Sequence, residues 1–226
     1  MKKTVLVTGA SGNLGSAMVK KCLERGFRIA AFQNTRESEG GDVSGQIEHF
    51  AVDLTDELRV KELLEEVYAR FECIDLAVLT VGGFAMGGLA DTSLEDLDRM
   101  YHLNFITAFN VARRLIAGME KQQGEGQMVF IGTKPALHPE MAKNMVAYSL
   151  SKSLLFRLAE VVNEEGKNRG ISASVFVPGT MDTPQNRSAM PDADSSKWVS
   201  PEKVAESILS LITPAGKGLK GKIIEV

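Results

Sequence analysis

One short turn limits what this chain can fold into more than any other feature. An apolar run, Val5-Leu6-Val7, leads directly into Thr8-Gly9-Ala10-Ser11-Gly12-Asn13-Leu14-Gly15, and a helix-patterned stretch over 14–25 follows. Glycines three apart between a strand and a helix each serve a separate purpose. Gly9 permits the tight turn, Gly12 lets the backbone approach a phosphate closely, and Gly15 lets the helix pack near the strand. The helix N-terminus reached this way suits a dinucleotide pyrophosphate, because its N–H groups and dipole favour negative charge. Gly9, Ser11, Gly12, Asn13, Leu14 and Gly15 are therefore candidate cofactor contacts. The bland alternative is a tight turn with no ligand. A strand before and a helix after are the context that argues against it.

The rest of the chain repeats that alternation. Strand patterns fall over 4–7, 27–32, 47–52, 74–81, 127–131, 171–177 and 222–226. Helical spacing runs over 14–25, 56–71, 93–119 and 145–168, and Ser200 caps a further helix with Pro201 at its first position. Apolar strands separated by helices imply a parallel sheet covered on both faces. The expectation is an α/β fold: a three-layer, doubly wound parallel sheet, Rossmann-like, in a single domain over 1–226. The polar segment 33–45 is too short for a full crossover helix, so a shortened excursion is expected there.

Composition narrows the function. The 226 residues carry 26 basic and 29 acidic side chains, well mixed, for a net charge of -3. No basic stripe points to nucleic acid, and no apolar run reaches the roughly 18 residues of a membrane span. Cys22 and Cys73 stand alone without metal spacing, as do His49, His102 and His138. No metal site is expected, and free thiols suit a cytoplasmic protein.

Tyr148 and Lys152 stand four residues apart within the helical stretch 145–168, so a phenol and an ammonium share one helix face. A nearby ammonium stabilises phenolate and is expected to lower the Tyr148 pKa, making it an acid or base near neutral pH. Asp53 follows the third strand. It either receives an adenine edge or caps the helix that starts near Asp56.

These residues together resemble the short-chain dehydrogenase/reductase family. The resemblance rests on Thr8 to Gly15, Asp53-Leu54-Thr55, Asn104, Tyr148 to Lys152, and Pro178-Gly179-Thr180-Met181-Asp182-Thr183. It implies NAD(P)-dependent oxidoreduction, with Tyr148 passing a proton to or from the substrate oxygen. Lys152 would bind the nicotinamide ribose, Asn104 would hold a water linking Lys152 to solvent, and Thr183 would touch the carboxamide or phosphates. Leu54, Gly82, Gly83, Pro178 and Gly179 complete the implied cofactor contacts. The family's usual Asn after the fourth strand and its catalytic Ser are absent. Leu79-Thr80-Val81-Gly82, followed by Gly83-Phe84, stands at the first place, and Thr133 supplies a hydroxyl near the second.

A dihydropteridine reductase-like subgroup is similar in Gly82-Gly83-Phe84, in Gly132-Thr133-Lys134-Pro135, and in a substrate loop over 181–199 ending near Trp198. That resemblance implies a carbonyl or quinonoid/imine substrate such as a dihydropterin. Gln33-Asn34-Thr35-Arg36 replaces the acid that would hold a ribose 2′-hydroxyl. Asn34 and Arg36 therefore favour NADP(H) over NAD(H), with Arg36 pairing the 2′-phosphate. The expected partners are a small-molecule substrate and further copies of this chain, as a homodimer or homotetramer, with no nucleic acid and no membrane. The same fold also suits a non-catalytic nucleotide-sensing protein, but a sensor has no need for Tyr148 and Lys152 in register with Asn104.

Overall fold

The computed structural model describes residues 2–34, 45–122 and 124–226. In chain order it contains β1 (Thr4–Thr8), α1 (Asn13–Glu24), β2 (Arg28–Gln33), β3 (Ile47–Ala51), α2 (Glu57–Phe71) and β4 (Leu76–Leu79). Then come α3 (Leu94–Tyr101), α4 (Thr107–Met119), β5 (Gly126–Ile131), α5 (Pro139–Ala142), α6 (Val146–Gly166) and β6 (Ile171–Val177). The chain closes with α7 (Pro184–Ala189), α8 (Pro201–Ser210) and β7 (Ile223–Glu225). The strands form one sheet in the order β3-β2-β1-β4-β5-β6-β7, every neighbour parallel. The doubly wound expectation holds. The order reverses direction at β1, where ligands bind in such sheets, outside the strands' carboxyl ends.

Alternation along each strand divides the core in two. Leu6, Phe32, Leu79, Phe130 and Val175 face α2, α4 and α6. Val5, Val7, Ile29, Val78, Ile131 and Phe176 face α1 and α8. Both sets are buried, so the central strands read as unbroken apolar runs rather than as alternating ones. Each such side chain contributes about 1.5–3 kcal/mol on leaving water, which commits the sheet to two helical layers.

Several helices start where polar side chains can satisfy their first N–H groups. Asp56, Ser93, Thr183 and Ser200 cap α2, α3, α7 and α8. α1, with Gly12 as its N-cap, has no side-chain cap, and neither have α5 and α6. The single helix expected over 93–119 is instead α3 and α4 joined by a π turn, His102–Ile106, in which the Thr107 N–H reaches the His102 carbonyl. The Thr107 hydroxyl donates to the Leu103 carbonyl inside that turn, at 2.8 Å. The segment 33–45 expected to be a shortened excursion lies, over 35–44, outside the described residues. Among the described residues, no helix is long and apolar enough to cross a membrane, and no His, Cys, Asp and Glu group is arranged to hold a metal.

Gly15 is the tightest point of the β1–α1 turn. A Cβ there would lie 2.0 Å from the Gly9 carbonyl oxygen and 2.8 Å from the Ala10 Cα, all of it backbone. Gly15→Ala is therefore expected to push α1 off β1. The cost should be about 1–3 kcal/mol, as for other overpacked sites, read from the urea midpoint. NADPH affinity, read by fluorescence, should fall with it. An unchanged midpoint would mean that the turn can relax.

Candidate active site

A cleft of about 540 Å³ opens at the carboxyl ends of β1, β2 and β4. Its floor is Gly9, Ser11, Gly12, Asn13, Leu14 and Gly15, as expected from sequence, and one wall is Asn34, Asp53 and Leu54. Gly82 and Thr183 also line it. Gly9 holds a left-handed φ of 61°, and a Cβ there would approach the Thr80 hydroxyl to 2.9 Å. The uncapped α1 N-terminus thus faces a hollow long enough for an extended ligand, which is the arrangement that anions occupy. These residues fit a dinucleotide. A second, smaller hollow near 210 Å³ lies among Lys3, Asp75, Glu125 and Lys220. Its cations are paired with its acids, Lys3 with Asp75 at 2.6 Å and Lys220 with Glu125 at 2.5 Å, so it carries no comparable case.

At the β3 side, Asp53 does not cap α2, contrary to one of the two expectations. Asp56 does that, accepting from the Leu58 and Arg59 N–H groups. Asp53 instead accepts from the Thr55 N–H at 2.8 Å and the Thr55 hydroxyl at 2.7 Å, which hold its carboxyl below the usual range. Asn110 of α4 donates to the Leu54 carbonyl at 2.9 Å and steadies this wall from behind. Gln33 is buried at the end of β2 and Asn34 is exposed beside it. Arg36 falls outside the described residues.

The remaining expected groups lie behind Gly82 and Ile131, which line the cleft, while Gly83, Asn104, Thr133, Tyr148 and Lys152 do not line it themselves. Lys152 is buried, and its ammonium donates to the Ile131 carbonyl at 2.8 Å. A side chain at Gly82 would meet Asn104 Oδ1 at 2.6 Å and Lys152 Nζ at 3.0 Å. Gly82 must therefore be glycine for both groups to sit where they do. Asn104 is fully buried in the π turn, and its Oδ1 accepts from the Gly83 N–H at 2.8 Å. Pro178 and Gly179 end β6, where the Gly179 N–H bonds the Val226 carbonyl, and neither lines the cleft.

Two protonation states follow from burial. The ammonium was expected to lower the Tyr148 pKa; instead burial of the ring raises it, and a hydrogen bond with the Thr133 hydroxyl offsets that in part. The reason is the direction of Lys152, which spends its charge on a backbone carbonyl. Burial lowers the Lys152 pKa itself from 10.5 to about 8. Thr133, expected near the reacting atoms, thus meets the phenol. Phe84 covers Tyr148 edge-on, with ring centroids 5.0 Å apart.

Sequence reasoning missed three contributions. Thr80 and Thr8 clasp β4 to β1 reciprocally: the Thr80 hydroxyl donates to the Thr8 carbonyl at 2.6 Å and the Thr8 hydroxyl accepts the Thr80 N–H at 3.1 Å. This clasp stands where the family's usual Asn is absent, and two Thr at the ends of adjacent strands were its signal. From α7, Gln185 and Asn186 line the cleft, and Gln185 accepts from the Asn13 side chain at 2.9 Å. Ser151 lies buried behind Asn104.

A phenol kept protonated, a hydroxyl beside it and an ammonium behind the end of a dinucleotide-shaped cleft can move a proton where a hydride arrives. The class is that of NAD(P)-dependent oxidoreductases. The chain belongs to the short chain dehydrogenase family, whose model matches residues 3–194. It is 28% identical over 216 residues to the dihydropteridine reductase of Dictyostelium discoideum, covering 94% of this chain and 89% of that one. It is 23% identical over 238 residues to a 3-oxoacyl-acyl-carrier-protein reductase of Thermotoga maritima, covering 99% and 96%. The solved structure of ElxO with NADP bound shares the fold at a TM-score of 0.90 and 20% identity, covering 100% of this chain and 97% of that one.

The buried Lys152 makes stability depend on pH. Between about 8 and 10.5 the unfolded chain binds the proton that the folded chain has released. The destabilisation is therefore complete below pH 8 and fades as pH rises toward 10.5. Lys152→Met, similar in volume and uncharged, should unfold at higher urea than the native chain at pH 7. Its advantage should shrink by pH 10. An advantage constant across that range would show that Lys152 is not held against its charge.

Proposed function

We propose that this chain is an NADPH-dependent reductase of a flat, conjugated carbonyl or imine, with a quinonoid dihydropterin as the substrate class. The observation that carries the reading is the Tyr148 phenol, kept protonated by burial and bonded to Thr133 one helical turn from Lys152. A protonated phenol is the form that gives a proton to a substrate heteroatom in a reduction. Gly9, Ser11, Gly12, Asn13, Leu14 and Gly15 would hold the pyrophosphate at the α1 N-terminus. Asp53 and Leu54 would receive the adenine, and Gly82 and Thr183, which line the cleft, the nicotinamide half, while Gly83, Pro178 and Gly179 are assigned to it by the family resemblance alone. The bound cofactor supplies the hydride.

The residues then divide the proton work. Tyr148 gives its proton to the substrate nitrogen or oxygen, and Thr133 hydrogen-bonds the same atom and orients it. Lys152 would hold the nicotinamide ribose, and a water at Asn104 would return a proton from solvent, as the family resemblance implies. Phe84 packs on Tyr148, and the exposed Met141 and Met190 with the half-buried Met145 and Trp198 would complete an apolar slot for a flat ring. The relative named dihydropteridine reductase supports the same substrate class.

NADPH is favoured because Gln33 and Asn34, rather than an acid, end β2, with Arg36 assigned to the 2′-phosphate. A homodimer or homotetramer is proposed on the exposed Tyr101 next to α4, and on Leu150, Leu154 and Val161 of α6. The Tyr101, Phe105 and Phe109 rings continue that surface as a ladder. A cytoplasmic location accords with the free thiols of Cys22 and Cys73.

Tyr148→Phe keeps the ring against Phe84 and removes the proton. Turnover should fall by about 10²–10⁴-fold with NADPH affinity nearly intact, and Thr133→Val should cost less. The reverse order would mean that the donor is misplaced. NADPH oxidation should be fastest with quinonoid dihydropterin, and Trp198→Ala should slow it. Rapid turnover of simple aldehydes with none of the pterin would remove the substrate assignment and leave the reductase.

A further inference from the structure

The Asn104 side chain is held by protein groups at both ends of its amide. It is fully buried, so each end of its amide needs a protein partner. Its Oδ1 accepts from the Gly83 N–H at 2.8 Å. Its Nδ2 donates to the Ser151 hydroxyl oxygen at 3.0 Å, with the Met100 sulfur at 3.7 Å as a weak second contact. Ser151 is buried in turn, and its own proton goes to the Tyr148 backbone carbonyl at 2.9 Å. The hydroxyl is therefore committed: with its proton on Tyr148, it meets Asn104 as an acceptor. An acceptor at that end requires the amide NH₂ there and leaves the oxygen for Gly83. The flipped amide would set N–H against N–H at Gly83.

We propose that Ser151 is a positioning residue that locks the Asn104 amide and, through it, holds the Gly82–Gly83 turn against Lys152. This rests on the reading of Tyr148 and Lys152 as the reacting end of the cleft. The chain of contacts is short and continuous. Ser151 lies between Tyr148 and Lys152 on α6, Asn104 sits in the π turn, and Gly83 belongs to the segment after β4. Three separate elements thus meet at one amide. Without the Ser151 hydroxyl, Nδ2 keeps only the weak sulfur contact, and the amide is free to rotate away from Gly83. A buried donor left without a partner is costly, whereas Ala is the better helix former at position 151. The effect of Ser151→Ala should therefore fall on the Asn104 contact and not on α6.

The test has two readouts. The first is amide hydrogen exchange at Gly83 in the cofactor-free protein, followed by NMR. Ser151→Ala should speed exchange there by about tenfold while leaving Val78 and Val129 in the sheet unchanged. The second is a double-mutant cycle on turnover. Ser151→Ala should lower kcat by roughly tenfold, and the Ser151→Ala, Asn104→Ala double variant should be no slower than Asn104→Ala alone. Unchanged exchange at Gly83, or losses that multiply in the double variant, would overturn the proposal. If Gly83 exchange responds while Asn104→Ala and Tyr148→Phe both keep full turnover, the coupling stands and the functional reading falls.

Discussion

The structure depends on the approach of α1 to β1 at Gly9 and Gly15. Backbone lies against backbone there, with no room for a side chain at Gly15. That closeness brings an uncapped helix end to the middle of the sheet, at the point where the strand order reverses. Asp, Ser or Thr caps α2, α3, α7 and α8, whereas α1, like α5 and α6, has no side-chain cap. An anion at the α1 start would satisfy N–H groups that no side chain reaches. The cleft and the groups behind its far end are arranged around that one opening.

The far end shows what burial does to chemistry. Lys152 and Tyr148 share a helix face, yet in the free chain they act on different partners. The ammonium is spent on the Ile131 carbonyl, and the phenol is left to burial and Thr133. Burial raises the phenol pKa and the Thr133 hydrogen bond opposes it, so the proton stays on Tyr148 in the free chain.

The layered fold was legible because its signals are local and repeated: apolar strands, helical spacing and a glycine turn with a strand on one side and a helix on the other. The pairing of Tyr148 with Lys152 was legible from helical spacing, but its clustering with Thr133 and Asn104 was legible only through the family's motifs, since the four come from three places in the chain. What escaped was set by tertiary context. The helix period across 93–119 reads as continuous, whereas the π turn sits where the buried Asn104 bonds Gly83 and Ser151, groups distant in sequence. The direction of the Lys152 ammonium depends on a strand end some twenty residues upstream, which no i to i+4 argument contains. Asp53 and Asp56 are equally good caps by composition, and the three-residue offset between them decided which one caps α2.

The π turn has one more effect, on helical phase. A helix advances about 100° per residue, so one residue added to a turn rotates everything after it by that angle. Asn104 lies within the turn and reaches Gly83, and Asn110 lies beyond it and reaches the Leu54 carbonyl at the opposite wall of the cleft. Those two walls are therefore keyed to a single rotation of one rod. Removing one residue from 102–106 would not merely straighten the helix. It would turn Asn110 away from Leu54 as surely as it unseated Asn104, so both ends of the cleft would lose their support through the same change of phase.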